Sequence, residues 1–92
     1  LLRALGLSPQ TFRHTVNFMG CYAAVHALRT AHYICLAEPD ARVLLVCTEL
    51  CSLHYQDALH DDALLANLLF GDGSAAVYMT GEAGAAGALL QW

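Results

Sequence analysis

The sequence contains no lysine, and its four basic residues, Arg3, Arg13, Arg29 and Arg42, are scattered along the chain. With a net charge of −4 and no basic cluster, it offers no nucleic-acid surface. Long apolar runs are missing too. Each is broken by Arg, Asp, Glu or His well before the ~18 residues a membrane helix requires, so no membrane span is expected. No charged-then-apolar leader opens the chain. It starts at Leu1 and stops at Trp92, inside a newly rising apolar stretch, and both ends read as cut. The four cysteines, at 21, 35, 47 and 51, lack the dense regular spacing of a secreted disulfide scaffold. A reducing cytoplasm is the expected setting.

What is present instead is apolar: 58% of the 92 residues are hydrophobic and only 13% charged. A chain this short buries roughly 60–65% of its surface on folding, so such a composition suits the interior of a larger protein. Residues 1–7 read as the last turns of a helix, stopped by Gly6 and Ser8-Pro9. Residues 11–18 alternate loosely, with β-branched Thr15 and Val16 and aromatic Phe12 and Phe18, which predicts a strand. From 22 to 37 the pattern predicts a buried helix without a strongly polar face, ending before Glu38-Pro39. Its small-residue stripe of Ala24, Ala27 and Ala31 would admit another backbone closely.

The run Val43-Leu44-Leu45-Val46-Cys47 predicts a strand covered on both faces. Residues 49–60 read as a polar and aromatic loop lining a cavity, with Asp61 or Asp62 capping a short helix to Asn67. Gly71-Asp72-Gly73 then punctuates a turn and residues 74–80 return as a strand. Strand, buried helix and buried strand make an α/β pattern. No internal repeat is visible.

Cys21 carries the most chemistry. It follows Met19-Gly20 and precedes the helix, where unsatisfied N–H groups and the positive end of the macrodipole favour a thiolate. Read alone, it fits an inert buried thiol, as most helix cysteines are, better than a nucleophile. Cys35 and Cys47 read as packing residues. Cys47, Cys51, His54 and His60 could be taken as metal ligands, but their spacing matches no familiar zinc site and a buried strand would carry Cys47 away from convergence, so no metal is expected. Tyr22, His26, Arg29 and Tyr33 share one helical stripe, which an interface or a neighbouring polar residue explains.

Two segments change the balance at Cys21. Phe18-Met19-Gly20-Cys21 and Leu68-Leu69-Phe70-Gly71-Asp72-Gly73-Ser74-Ala75-Ala76 together resemble the type III polyketide synthases, the chalcone-synthase-like branch of the thiolase superfamily. The resemblance runs through Met79 and corresponds to about a quarter of a full-length member. The chain therefore reads as a piece of the N-terminal thiolase-like domain, residues 1–92, truncated at both ends, with a partial layered α/β/α/β/α fold. Branch-level support comes from Val43-Leu44-Leu45-Val46-Cys47-Thr48-Glu49, which is similar to the chalcone-synthase strand and its following glutamate.

The resemblance implies an acyltransferase. Cys21 would take an acyl group from a coenzyme A thioester, and malonyl-CoA would supply the carbanion after losing carbon dioxide. No cofactor is implied beyond these coenzyme A thioester substrates, and basic residues for coenzyme A would come from outside the segment. Phe70 matches the family's gatekeeper phenylalanine. Glu49, Cys51 and His54 join it as expected substrate-binding residues, the last two standing where plant enzymes carry cavity threonines. The family's catalytic histidine and asparagine lie beyond Trp92 in family order, and none of the five histidines here aligns with that histidine. The segment alone is thus expected to be inactive.

Phe18-Met19 in place of Gln-Gln, and a loop from 55 to 70 about two residues shorter, depart from the plant pattern and point to bacteria. Family members are homodimers, and residues 11–18 are the expected edge. The alternatives are a fatty-acid-type ketoacyl synthase using malonyl-acyl carrier protein, and a non-catalytic thiolase-like subunit.

Overall fold

The computed structural model of the chain describes residues 1–57 and 60–82. The apolar stretch that rises toward Trp92 lies outside the described residues. Helix α1 spans Ala23–Ala37, rich in alanine and leucine, whose side chains lose little freedom in a helix. It stops where Pro39 dictates. Glu38 turns extended at φ −129°, ψ 90°, the conformation a following proline favours. The Glu38 N–H still donates to the Ile34 carbonyl at 2.8 Å, and the Ala41 N–H donates to the Glu38 carbonyl at 2.9 Å. This four-residue turn, with proline second, delivers the chain into strand β1, Arg42–Glu49.

Helix α2, Asp61–Leu69, separates β1 from strand β2, Gly73–Thr80. The strands pair antiparallel in continuous register, from Arg42 opposite Thr80 to Glu49 opposite Gly73. Near the Glu49 end, Ser74 Oγ donates to the Cys47 carbonyl at 3.1 Å and lies 2.9 Å from Thr48 Oγ1, which ties the register there. Helix α1 packs against both strands. Ala31, Cys35 and Leu45 form the core, while α2 contributes buried Ala63.

Several expectations change. Strand β1 is covered on one face only: Val43, Leu45 and Cys47 are buried or half-buried, whereas Leu44 and Val46 are 43% and 41% exposed. Alternation along a strand sends neighbours to opposite faces, and among the described residues only the α1 side is packed. Helix α1 likewise has an open stripe through Tyr22, Val25, Arg29, Tyr33 and Leu36. On it, Arg29 Nε donates to Tyr33 Oη at 3.1 Å, raising the guanidinium pKa above its ordinary value, and Tyr22 meets His26 edge-on at 4.6 Å.

Residues 11–18 form no strand. Strand preference is realised only against a partner, and among the described residues none pairs with them. Residues 1–7 form a turn whose hydrogen bonds, Leu7 N–H to the Leu2 carbonyl and Gly6 N–H to the Arg3 carbonyl, are those of a helix C-terminal Schellman cap. Gly6 takes the required positive φ of 66°. The cap of α2 is His60, extended at φ −88°, ψ 151°, so Asp61 and Asp62 already lie in the first turn and favour the helix through its dipole rather than as caps. The helix also runs two residues past Asn67.

The whole chain exposes 7978 Å², where a compact domain of its mass exposes about 5,200 Å². Among the described residues, the apolar faces through Leu44 and Val46 on β1 and Val25 and Leu36 on α1 stay open.

Candidate functional site

Cys21 lies in a 3₁₀ turn, Gly20–Tyr22, that runs directly into α1. Two left-handed residues set up this entry: Phe18 at φ 59° and Gly20 at φ 56°, with Met19 between them at φ −110°, ψ 0°. Glycine adopts such a φ freely. For Phe18 it costs roughly 1–2 kcal/mol, the kind of strain that gathers where a backbone is held for function. Nothing lies within 4 Å of a Cβ added at Gly20, so its φ, and not close contact, is what glycine supplies. The Ala23 N–H donates to the Gly20 carbonyl, and the Cys21 thiol is exposed.

A second feature lies past the Glu49 end of the ribbon. A groove of about 580 Å³ is lined by Cys51, Ser52, His54 and Tyr55 on one side and by Ala66, Asn67, Phe70, Gly71 and Asp72 on the other, within the size range of small-molecule sites. Its first wall is a 3₁₀ turn, Cys51–His54. Its second is the end of α2 and the segment 70–72 before β2. Asn67 Nδ2 donates to the Gln56 carbonyl at 2.9 Å. Asp72 accepts from Ser52 twice, from the backbone N–H at 2.7 Å and from Oγ at 2.6 Å. These two donors, the hydroxyl first, hold the Asp72 carboxyl below its ordinary pKa.

The structure thus brings Phe70, Cys51 and His54 together. It does not bring Cys21 or Glu49 into the same groove; Glu49 closes the ribbon opposite Gly73 and is exposed. Gly71 and Gly73 also depart from expectation, since neither has a positive φ and a Cβ on either meets nothing within 4 Å. In that tripeptide it is Asp72 that bonds to a distant residue, and its pairing with Ser52 is not legible in the sequence. Among the described residues no group of three or more His, Cys, Asp or Glu side chains is placed to hold a metal, and no helix is long and apolar enough to cross a membrane. A smaller hollow of about 210 Å³ between Asp40, Arg42, Thr80 and Glu82 contains no nucleophile.

Residues 1–83 match the family described as "Chalcone and stilbene synthases, N-terminal domain". The chain is 46% identical over 79 residues to the alpha-pyrone synthesis polyketide synthase-like protein Pks18 of Mycobacterium tuberculosis, covering 84% of this chain and 20% of that one. Its backbone superposes on the C-terminal type III polyketide synthase domain of Steely1 from Dictyostelium with a TM-score of 0.77 at 43% identity, covering 84% and 21%. It superposes on 1,3,6,8-tetrahydroxynaphthalene synthase of Streptomyces coelicolor with a TM-score of 0.80 at 39% identity, covering 90% and 24%. These are type III polyketide synthases, and the helix-on-ribbon arrangement is part of their thiolase-like α/β fold. The chain spans about a fifth to a quarter of their length, and it belongs to the chalcone and stilbene synthase family as a portion of the N-terminal domain.

Proposed function

We propose that this chain supplies the nucleophile and one part of the cavity of a type III polyketide synthase. Attack of the Cys21 thiolate on an acyl-CoA carbonyl expels the coenzyme A thiol and leaves an acyl thioester on the protein. Malonyl-CoA then loses carbon dioxide, and the resulting enolate attacks that thioester. A carbon–carbon bond forms, the carbon–sulfur bond to Cys21 breaks, and the thiolate returns with a β-ketoacyl-CoA as product. Dividing the reaction in this way replaces one difficult step by two easier ones.

The observation that carries this reading is the exposed Cys21 thiol at the entry of α1, in a chain of this family. Phe70 is read as the gate to the cavity and Glu49 as lining it from a surface outside the groove. The reaction calls for no cofactor beyond the thioesters. Assembly as a homodimer and residence in the cytoplasm complete the reading, the latter supported by four free cysteines.

The test is to incubate the full-length protein with an acyl-CoA and map peptides by mass. The adduct should sit on Cys21; an adduct on Cys51, or none at all, overturns the reading. Malonyl-CoA and malonyl-acyl carrier protein offered in parallel separate it from a fatty-acid-type ketoacyl synthase.

Cys51 and His54 line the same groove as Phe70, so exchanging His54 for threonine should widen it. The expected result is an altered product length or ring pattern with Cys21 acylation retained, because pocket contacts are typically worth ~1–3 kcal/mol in discrimination. Product chromatography with one starter decides it. An unchanged profile across His54→Thr and Cys51→Thr removes both residues from the cavity.

A further inference from the structure

The 3₁₀ turn Cys51–His54 has no cap of its own: Leu50 precedes it, and no side-chain hydrogen bond is made from that position. The first N–H groups of such a turn are orphans unless something accepts them. Here the acceptor comes from 20 residues away. Both Asp72 oxygens go to Ser52, one to the N–H at 2.7 Å and one to the hydroxyl at 2.6 Å, distances within the short range of hydrogen bonds to an ionised acceptor. The two residues stand just past the same end of the ribbon, three beyond Glu49 and one before Gly73. Among the described residues this pair of bonds is the one hydrogen-bonded link between the 51–54 turn and the 70–72 segment. Cys51 and His54 lie on one side of the link and Phe70 on the other.

We propose that Asp72 is a positioning residue whose two-oxygen clasp on Ser52 fixes the spacing of the Cys51–His54 wall from Phe70, and so sets the length of intermediate the groove holds. The effect on product rests on the polyketide synthase reading; the clasp itself does not. The lowered Asp72 pKa agrees with the geometry. Because the folded value lies below the unfolded one, the clasp is at full strength above the ordinary aspartate range and is lost as pH falls through the folded value.

The experiment compares Asp72→Ala, Asp72→Asn and Ser52→Ala in the full-length protein by three measurements: hydrogen exchange at the Ser52 amide, product distribution with one starter and malonyl-CoA, and acylation of Cys21. In Asp72→Ala the Ser52 amide should exchange about tenfold faster or more, and the product distribution should shift while acylation of Cys21 persists. Asp72→Asn keeps one carbonyl acceptor and should lie between. Its Ser52 protection should also stay flat at acidic pH, where that of the native protein falls. Ser52→Ala loses only the hydroxyl arm, and it reads the same shift at smaller size should Asp72→Ala fail to fold.

Unchanged protection of Ser52 in Asp72→Ala and Ser52→Ala refutes the clasp. Protection lost with the product distribution unchanged refutes its role in chain length. A native protein that condenses nothing refutes the synthase reading and the chain-length role with it, and the amide measurement still judges the clasp.

Discussion

Replacing Cys21 by alanine in the full-length protein should abolish condensation, with a loss on the order of 10⁴-fold or more, as when other enzymes lose a covalent nucleophile. The sulfur at 21 cannot be replaced from within the chain. Cys35 is buried in the core, Cys47 is half-buried on the α1-facing side of β1, and Cys51 lines a groove that Cys21 does not enter. Alanine at 35 or 47 should therefore leave acylation intact, whatever it does to packing. Cys21→Gln should still release carbon dioxide from malonyl-CoA, because that step requires stabilisation of an enolate and not a thiolate. Following carbon dioxide and product together separates the two steps. Condensation that survives in Cys21→Ala would place the nucleophile elsewhere.

The second large effect is structural. A Cβ at position 81 would stand 2.5 Å from the Cys35 carbonyl oxygen, 2.9 Å from the Pro39 carbonyl oxygen and 3.1 Å from Pro39 Cα. All three are backbone atoms. The Cys35 oxygen belongs to α1, and Pro39 is held by its ring and by the Glu38–Ala41 hydrogen bond, so neither can step aside as a side-chain tip would. Gly81→Ala must push the end of β2 away from the end of α1, at a cost of about 2–3 kcal/mol. Thermal melting of the full-length protein should show a clearly lowered Tm. Gly71→Ala supplies the contrast, since its added methyl meets nothing within 4 Å in this chain. Equal melting of native protein and Gly81→Ala would mean that α1 and β2 do not approach as described.

The parts of this fold that are legible in the sequence are those set by local chemistry. Pro39 ends α1, the apolar run at 43–47 makes β1, and Gly20 and Cys21 mark the helix entry, whereas Gly71-Asp72-Gly73, expected as a turn, leads into β2 without one. Where a property depends on a distant partner, the sequence is silent. Thr15 and Val16 favour a strand but find no ladder. Leu44 and Val46 look interior because nothing in their own neighbourhood says which face is covered. Gly81 looks like a strand-end glycine, and only the tertiary structure puts a carbonyl beside it. The Ser52–Asp72 clasp spans 20 positions, far beyond the three- and four-residue spacings that helix and turn rules read. Cys21, Phe70, Cys51 and His54 are expected site residues by resemblance and motif, whereas the pairing of Ser52 with Asp72 is visible only in three dimensions.

The bare face of the ribbon has a consequence in time. An isolated two-stranded sheet is marginal in water; here α1 covers one face, while Leu44, Val46 and Tyr78 on the ribbon stand open. Ribosomes add roughly 5–20 residues per second, so in a protein as long as the relatives this segment would wait many seconds for the rest of the chain. During that interval the turn at Phe18–Gly20 has little to hold its strained backbone, and the thiol of Cys21 is presented by a loosely organised helix entry. Nascent chains stalled at residue 92 should accordingly be cut rapidly by protease and take no acyl group from a coenzyme A thioester, while the released full-length protein resists cleavage and is acylated. A stalled chain as resistant as the finished protein would show that the ribbon stands without its cover. On the proposed reading, the Cys21 thiol would take acyl groups only once the open face of the ribbon is covered.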